Sequence, residues 1–433
     1  MIFFQNIIDH IPFYHKNIKS LLISIIKNSQ LPSSSISISI KDLKTGNIIF
    51  EHNQKMLMPP ASVLKIITLP AAIEILGANY KFSTSLYSRE KSAYIIKLCG
   101  DPYLKQKDLL SLISTIKIKP HTFYIDDTLI EKKYWGEGWQ WDNELNINMP
   151  KFNAYNIDDN ILSLTISLNK NHTVKITNSA NYPVPYINNI TLGNTSNITI
   201  SKDKNNFENI LVFNGTINQP AVIKIPIDNL QHYFEFRLKQ CLKEKNITIK
   251  HSPIQTSDKK IAEITHPLSA MLDDVLKNSN NFISETISKV AAAKVFNKTG
   301  SDVDGVNLAK SYCQKIGLDI SKIKITDASG VSKNNLLSAD FISEYLVKNQ
   351  NNQTLKHLPI PGEKNLANRL TTLKNYLHAK TGTLSDISNI AGYLTSKSGH
   401  KYSFSIMIVD PYSNLADKKS FEDNFLQKLW LYG

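Results

Sequence analysis

Strand and helix patterns at the two ends of this 433-residue chain constrain its fold more than any other feature. Near the start, a helical pattern over 17–28 precedes two strand-like runs, 36–40 and 48–50, which a turn containing Gly46 joins. Near the end lie three strand-like runs and one helical pattern, over 377–382, 390–394, 402–409 and 421–431. Five strands with helices on either side can complete one antiparallel sheet covered on both faces. The sequence therefore predicts an α+β domain built from both ends of the chain.

The middle of the chain has a different texture, with short strands separated by turns rich in Asn, Gly and Asp. The strand-like runs are 94–98, 122–125, 162–168, 174–177, 198–200, 211–213 and 222–225, followed by helical patterns over 233–244, 267–277, 282–295 and 306–316. We predict one domain formed by 1–83 and 266–433, interrupted by a large β-rich insertion at 84–265.

Composition excludes several classes of protein. Hydrophobic residues make up 42% of the chain, enough for a large core, but no apolar run approaches the roughly 18 residues that span a bilayer. The net charge of +13 comes mainly from scattered lysines without an arginine cluster, so no nucleic-acid partner is predicted. Cys99, Cys241 and Cys313 are far apart and the histidines are dispersed, so neither a metal site nor a cofactor is predicted.

The segment 58–76 places a serine and a lysine one helical turn apart. Two prolines keep the chain extended before an apolar helix that should begin near Ala61. Ser62 and Lys65 then share one face, so the amine can take the hydroxyl proton, and free N–H groups at the helix start can stabilise an oxyanion. Ser-x-x-Lys also begins at eight other serines, but only this copy follows prolines and heads a long apolar segment. Taken alone, the segment is better explained by an N-cap serine beside a solvated lysine.

A second motif, Ser279-Asn280-Asn281, lies between two helical patterns. A loop there can project a hydroxyl and a carboxamide into a cleft. A helix stop followed by an N-cap is the simpler interpretation of this motif by itself.

The third motif is Lys-Thr-Gly, which occurs three times. Two copies fit a hairpin turn and a helix end, whereas Lys380-Thr381-Gly382, followed by Thr383, lies within a predicted strand. Alternation puts the two threonines on one face and Lys380 on the other, and Gly382 lets another segment approach closely. Two hydroxyls beside an ammonium group predict a site for a carboxylate.

The three motifs occur in the order Ser-x-x-Lys, Ser-x-Asn, Lys-Thr-Gly, and together they form a strong signal. With them, and over nearly its whole length, the sequence resembles the penicillin-binding D-alanyl-D-alanine carboxypeptidases/endopeptidases of low molecular mass, class C. Other family-like stretches are Gly100-Asp-Pro102, Trp135-Gly-Glu-Gly-Trp-Gln-Trp-Asp142 and Asp327-Ala-Ser-Gly-Val-Ser332. The resemblance implies a serine β-lactamase/DD-peptidase-like domain, and the long insertion between the first two motifs singles out class C. It also implies two nested subdomains within the insertion at 84–265.

The resemblance also implies roles for the motif residues. Ser62 would attack the carbonyl between the last two D-alanines and form an acyl-enzyme, with Lys65 as base. Ser279 would relay a proton to the leaving amine, and Asn281 would hold the substrate amide.

Substrate binding is implied in the same way. The segment Lys380-Thr381-Gly382-Thr383 would bind the terminal carboxylate, and the N–H groups of Ser62 and Thr383 would form the oxyanion hole. The family uses a side pocket for the amino end of a diaminopimelate-type peptide, and Asp142, Ser385 and Lys333 lie at matching places. Because relatives often have an arginine where Lys333 stands, the preferred stem peptide is not predicted.

The function implied is that of a serine DD-peptidase that trims or cleaves peptidoglycan stem peptides and is acylated by β-lactams. A β-lactamase or esterase on the same scaffold, and a non-catalytic peptidoglycan-binding protein, are the alternatives. The substrate implies a periplasmic or other extracytoplasmic location, although no signal peptide is recognised in the first ten residues. A homo-oligomer is left open.

Overall fold

A computed structural model describes residues 10–90, 92–169, 171, 173–203, 210–244 and 246–433. The first nine residues lie outside this description. They include most of the stretch in which we looked for a signal peptide. The helices are α1 His10–Lys27, α2 Lys65–Leu76, α3 Gln106–Ser114, α4 Leu230–Leu242, α5 Leu272–Leu276, α6 Asn281–Phe296, α7 Asp302–Lys315, α8 Ala339–Lys348 and α9 Leu415–Tyr432. The strands are β1 Ile36–Asp42, β2 Ile48–His52, β3 Lys81–Glu90, β4 Ala93–Lys97, β5 Thr122–Asp126, β6 Ile161–Leu168, β7 Val174–Asn178, β8 Tyr186–Leu192, β9 Asn197–Lys202, β10 Leu211–Ile217, β11 Ala221–Pro226, β12 Thr248–His251, β13 Lys259–Pro267, β14 Leu377–Leu384, β15 Ile387–Thr395 and β16 Lys401–Val409.

The chain divides into two compact units. The first unit comprises the described residues through Tyr80, the short segment Gly136–Trp139, and Leu268–Gly433. The second comprises Lys81–Trp135 and Gln140–Pro267. The predicted domain limits at 83/84 and 265/266, and the two subdomains within the insertion, stay predictions.

One five-stranded sheet organises the first unit, in the order β14-β15-β16-β1-β2. Every neighbouring pair is antiparallel, and the register places Ile36 opposite Ile408 at the junction of the two ends of the chain. The predicted α+β fold, with a five-stranded antiparallel sheet drawn from both ends, is confirmed.

The alternation of isoleucine and serine in β1 sorts the two faces of that sheet. Ile36, Ile38 and Ile40 are buried in one hydrophobic cluster with residues of α1 and α9. On the other face, Ser343 in α8 donates from its Oγ to Ser39 Oγ at 2.8 Å. Both faces are therefore covered by helices, and the serines are paired because a buried hydroxyl without a partner is costly.

The second unit contains three sheets among its described residues, in the orders β12-β5-β4-β3-β13, β8-β10-β9 and β11-β6-β7. The β-rich character predicted for this part of the chain is confirmed, and all seven predicted strands are present. Sequence patterns missed β3, β8, β12, β13 and α3. β8 and β13 carry few buried side chains, so they lack the apolar alternation on which the prediction depended.

No helix among the described residues has both the length and the apolar character that crossing a bilayer requires.

Candidate active site

Ser62 lies in a 3-10 turn, Ala61–Leu64, that leads directly into α2. The helix predicted near Ala61 therefore begins there, but its first turn is tighter than an α-helix. Lys65 is the first residue of α2, one turn after Ser62, and its Nζ donates to Ser62 Oγ at 2.9 Å. The structure thus brings the predicted nucleophile and base into direct contact.

The Lys65 amine has two further partners, both of them oxygen acceptors. Its Nζ donates to Asn281 Oδ1 and to the backbone carbonyl of Ser329, each at 2.6 Å. A neutral amine has two N–H groups and one lone pair. When those two N–H groups point at the two acceptors, the lone pair is left for the Ser62 hydroxyl, as a general base requires.

Burial makes that neutral form accessible. Lys65 is fully buried, and this desolvation lowers the pKa of its amine to about 7, even though the carboxylates of Asp327 and Glu285 act to raise it. A large fraction of Lys65 is therefore neutral near neutral pH.

The second pair of motif residues forms a separate contact. Ser279 sits before α6 with a left-handed backbone, φ +60°, and Lys380 Nζ donates to its Oγ at 2.9 Å. Lys380 also donates to the carbonyl of Thr381 at 2.9 Å. Burial, and then the charge of Lys65, lower the pKa of Lys380 well below its ordinary value. Asn280 caps α6, because its side chain accepts from Ile283 N. The side chains of Ser279 and Asn281 are therefore not needed for capping and can belong to the site.

Strand β14 packs directly on the nucleophile turn. A Cβ at Gly382 would lie 2.7 Å from the carbonyl oxygen of Pro60 and 3.1 Å from the backbone nitrogen of Ser62. Asn389 in β15 donates from Nδ2 to the carbonyl of Pro59 at 2.9 Å. Within β14, Thr381 is buried and Thr383 is exposed. The close approach predicted for Gly382 is therefore to the backbone that carries Ser62.

Two of the residues assigned to the side pocket, Lys333 and Ser385, lie in the first unit and contact each other. Lys333 Nζ donates to Ser385 Oγ and to Asp386 Oδ2, each at 3.2 Å. Asp142 lies in the second unit, exposed in a 3-10 turn, where its Oδ1 accepts from Asn143 Nδ2 at 3.4 Å. Asp386 is a side-pocket neighbour that the sequence did not suggest.

Two buried carboxylates beneath Lys65 were also missed. Glu285 accepts from the backbone N–H groups of Ala328 and Ser329, and Asp327 accepts from Trp139 Nε1 at 2.9 Å. Two sequence signals could have pointed to them. Glu285 follows Asn281 by four positions and so shares a helix face with it, and Asp327 opens a family-like stretch.

All three cysteines, Cys99, Cys241 and Cys313, are buried free thiols. Among the described residues no group of three or more His, Cys, Asp or Glu side chains is arranged to hold a metal ion. The candidate site is built from hydroxyl, amine, carboxamide and backbone groups.

Comparisons with known proteins identify a family and several relatives of this chain. The profile of the D-Ala-D-Ala carboxypeptidase 3 (S13) family matches residues 18–428. The chain is 25% identical to the D-alanyl-D-alanine carboxypeptidase DacB of Haemophilus influenzae, over 92% of each chain. It is 23% identical to the D-alanyl-D-alanine carboxypeptidase of Actinomadura sp. strain R39, over 89% of this chain and 79% of that protein.

Solved structures show the same fold. The crystal structure of penicillin binding protein 4 (dacB) from Haemophilus influenzae has a TM-score of 0.82 at 24% identity, covering 94% of this chain and 99% of that one. The same protein complexed with a β-lactam has a TM-score of 0.77, with the same identity and coverage.

Proposed function

This chain belongs to the D-Ala-D-Ala carboxypeptidase 3 (S13) family, and from that membership we propose that it hydrolyses the bond between the last two D-alanines of peptidoglycan stem peptides through an acyl-enzyme on Ser62. It is a serine DD-peptidase, as its relatives of similar length indicate. The assignment to Ser62 depends on the hydrogen-bond partners of Lys65. Asn281 Oδ1 and the Ser329 carbonyl accept from the two N–H groups of the neutral amine, so its lone pair is left for the Ser62 hydroxyl.

Acylation begins when Ser62 Oγ attacks the substrate carbonyl carbon and its proton passes to Lys65 Nζ. The carbonyl oxygen becomes an oxyanion, for which the backbone N–H groups of Ser62 and Thr383 are the proposed donors. The C–N bond then breaks. The leaving amine of D-alanine takes that proton from Lys65 by relay through Ser279 Oγ, which already accepts a hydrogen bond from Lys380, and Lys65 becomes neutral again.

Deacylation repeats these steps with water as the nucleophile. Water adds to the ester carbon, loses a proton to the neutral amine of Lys65, and releases the shortened peptide while Ser62 regains its proton. Asn281 holds the substrate amide, and the segment Lys380-Thr381-Gly382-Thr383 holds the terminal carboxylate, because a buried ammonium beside two hydroxyls stabilises a carboxylate.

The same chemistry explains acylation by β-lactams. Attack of Ser62 on a β-lactam carbonyl opens the ring, but the leaving nitrogen stays attached to the acyl group and blocks the approach of water. A related penicillin binding protein 4 has been solved in complex with a β-lactam. We therefore propose β-lactams as covalent inhibitors of this chain.

Substrate specificity rests on the side pocket. Lys333, Ser385 and Asp142 are the proposed contacts for the amino end of the stem peptide, and Asp386 joins them through its ion pair with Lys333. Because peptidoglycan lies outside the cytoplasm, we propose an extracytoplasmic, periplasmic location.

The test is intact-mass spectrometry after incubation with benzylpenicillin, followed by mapping of the modified peptide. We expect one adduct, on Ser62, which is lost in Ser62→Ala. Ser114→Ala is the matched control, because Ser114 also begins a Ser-x-x-Lys sequence but is exposed at the end of α3. Destruction of penicillin without an adduct would favour a β-lactamase, and intact penicillin without an adduct would favour a non-catalytic protein.

A further inference from the structure

The carbonyl of Ser329 is one of the two groups that orient the Lys65 amine, and it belongs to a loop with an unusual backbone. Gly330 has φ +84°, and a Cβ at this position would lie 1.9 Å from the carbonyl oxygen of Ala61. The loop therefore presses against the backbone of the nucleophile turn. Any shift of the loop would move the Ser329 carbonyl away from Lys65.

Two buried carboxylates hold this loop through its backbone N–H groups. Glu285 accepts from Ala328 N at 3.1 Å and from Ser329 N at 2.8 Å. Asp327 accepts from Gly330 N at 2.8 Å and from Ser332 N at 2.7 Å. Four of the backbone donors between 328 and 332 are therefore satisfied by two side chains.

Asp327 is itself held from two sides. Trp139 Nε1 donates to its Oδ2 at 2.9 Å, and Asn335 Nδ2 donates to its Oδ1 at 2.8 Å. Asp327 is 1% exposed and Glu285 2% exposed, so neither carboxylate exchanges these donors for solvent. Trp139 belongs to the first unit, although the residues on both sides of the Gly136–Trp139 segment belong to the second.

We infer that Asp327, held by Trp139, and Glu285 are positioning residues for the general base: they fix the loop so that the Ser329 carbonyl occupies one N–H of Lys65 and the lone pair is left for Ser62. The inference rests on the proposed function and extends it. Neither carboxylate touches the substrate or the reacting atoms; each acts through the loop.

The charges around Lys65 agree with this role. Asp327 and Glu285 both raise the pKa of Lys65, against burial, and the charge of Lys65 in turn lowers the pKa of Lys380, which burial already lowers. Burial, then Asp327 and Asp302, raise the pKa of Glu285 to about 8. Asp302 in turn pairs with Lys289 at 3.0 Å. A change at Asp327 should therefore alter both the position of the loop and the proton affinity of the base.

The experiment compares Asp327→Asn and Trp139→Phe with the wild-type chain. The measured quantity is the second-order rate constant for acylation by benzylpenicillin as a function of pH. Asp327→Asn turns an N–H₂ group toward backbone donors and removes a negative charge near Lys65. We expect acylation to slow by about tenfold to a hundredfold, and its acidic limb to move to lower pH by about one pH unit.

Trp139→Phe removes one hydrogen bond to Asp327 but keeps the charge. We expect acylation to slow by about tenfold, with an acidic limb that does not move to lower pH. Glu285→Gln should also slow acylation about tenfold, because an amide group would face the donors of Ala328 and Ser329. The matched control is Trp430→Phe, since the buried Trp430 Nε1 has no hydrogen-bond partner among the described residues and lies in α9.

Wild-type acylation rates with an unmoved acidic limb in Asp327→Asn and Trp139→Phe would overturn the inference. If Asp327→Asn shows no cooperative thermal transition, Trp139→Phe decides by itself. A wild-type chain that is not acylated would contradict the proposed function instead. In that case the ¹³Cε chemical shift of Lys65, compared between wild type and Trp139→Phe at the same pH, still tests the inference, because an unchanged shift would contradict it.

Discussion

Lys380 Nζ donates a hydrogen bond to Ser279 Oγ at 2.9 Å, so the edge strand β14 and the loop before α6 meet at one hydroxyl. If Lys380 assists the leaving amine through Ser279, Ser279→Ala and Lys380→Met should each lower kcat for D-alanine release by about a hundredfold or more. The double variant should lose less than the product of the two single losses. Steady-state release of D-alanine from a D-Ala-D-Ala peptide measures all four proteins, and losses that multiply would contradict the coupling.

The pH dependence of acylation should report Lys65. Burial lowers the pKa of its amine to about 7, and only the neutral amine can take the Ser62 proton. The acylation rate should therefore rise with pH through about 7 and level off above it, falling about tenfold per pH unit on the acidic side. Stopped-flow acylation by a chromogenic β-lactam measures this profile. A rate that stays constant across neutral pH would contradict the role of Lys65 as base.

Gly382→Ala should inactivate the site without unfolding the chain. Its Cβ would lie 2.7 Å from the Pro60 carbonyl, so β14 must move away from the Ser62 turn, and we expect acylation to slow by at least about a hundredfold. Gly399→Ala is the control, because Gly399 has open space around it but φ +94°. It should cost about 1–3 kcal/mol of stability and leave acylation intact. Equal acylation rates in Gly382→Ala and Gly399→Ala would contradict the idea that close packing on the Ser62 turn requires a glycine at position 382.

The buried ion pair between Lys289 and Asp302 should matter for stability. Lys289 Nζ lies 3.0 Å from Asp302 Oδ1, and both side chains are almost fully buried. Lys289→Met leaves a carboxylate buried without its cation and should lower the free energy of unfolding by about 3–5 kcal/mol. Adding Asp302→Leu should recover part of that loss. Urea denaturation of the wild type and the two variants measures the free energy of unfolding. A loss of only about 1 kcal/mol in Lys289→Met would contradict the prediction, because an exposed ion pair contributes that much.

If Asp142 belongs to the proposed side pocket, replacing it should change KM for a peptide substrate but not acylation by an antibiotic. Asp142→Asn should raise KM for a stem peptide with a free amine at its third residue, because the proposed acidic partner of that amine is lost. It should leave acylation by benzylpenicillin unchanged, and the same peptide with that amine acetylated should not distinguish the variant from wild type. An equal change in KM for both peptides would remove Asp142 from the pocket.

Much of the fold could be predicted because the central sheet has strong local patterns. The alternation of isoleucine and serine over β1 and the apolar runs of β15 and β16 mark strands that are buried on both faces. The predicted helix over 421–431 is the second half of α9. The helix α8 was missed although six of its ten residues are buried, because it is short.

The candidate site also has one part that could be predicted from the sequence and another part that could not. Ser62 and Lys65 could be paired from sequence because one helical turn joins them, and Lys380 could be assigned to a strand. The contacts that complete the site are not local. Asp327 meets Trp139, which lies 188 positions earlier, and Lys65 meets the Ser329 carbonyl across 264 positions. No spacing rule predicts such pairs, since they depend on how the loop packs after the helices have come together.

The register of the central sheet, with Ile36 opposite Ile408, also sets the order in which this chain can mature during synthesis. Strand β1 is translated long before its partner β16, so the apolar face of β1 has no neighbouring strand on that side until β16 has left the ribosome. The intervening second unit has all of its strands translated before then. Because Gly382 packs on the Ser62 turn, a nascent chain that ends before β14 has no complete reactive site. Peptidase activity therefore requires that translation has passed β14.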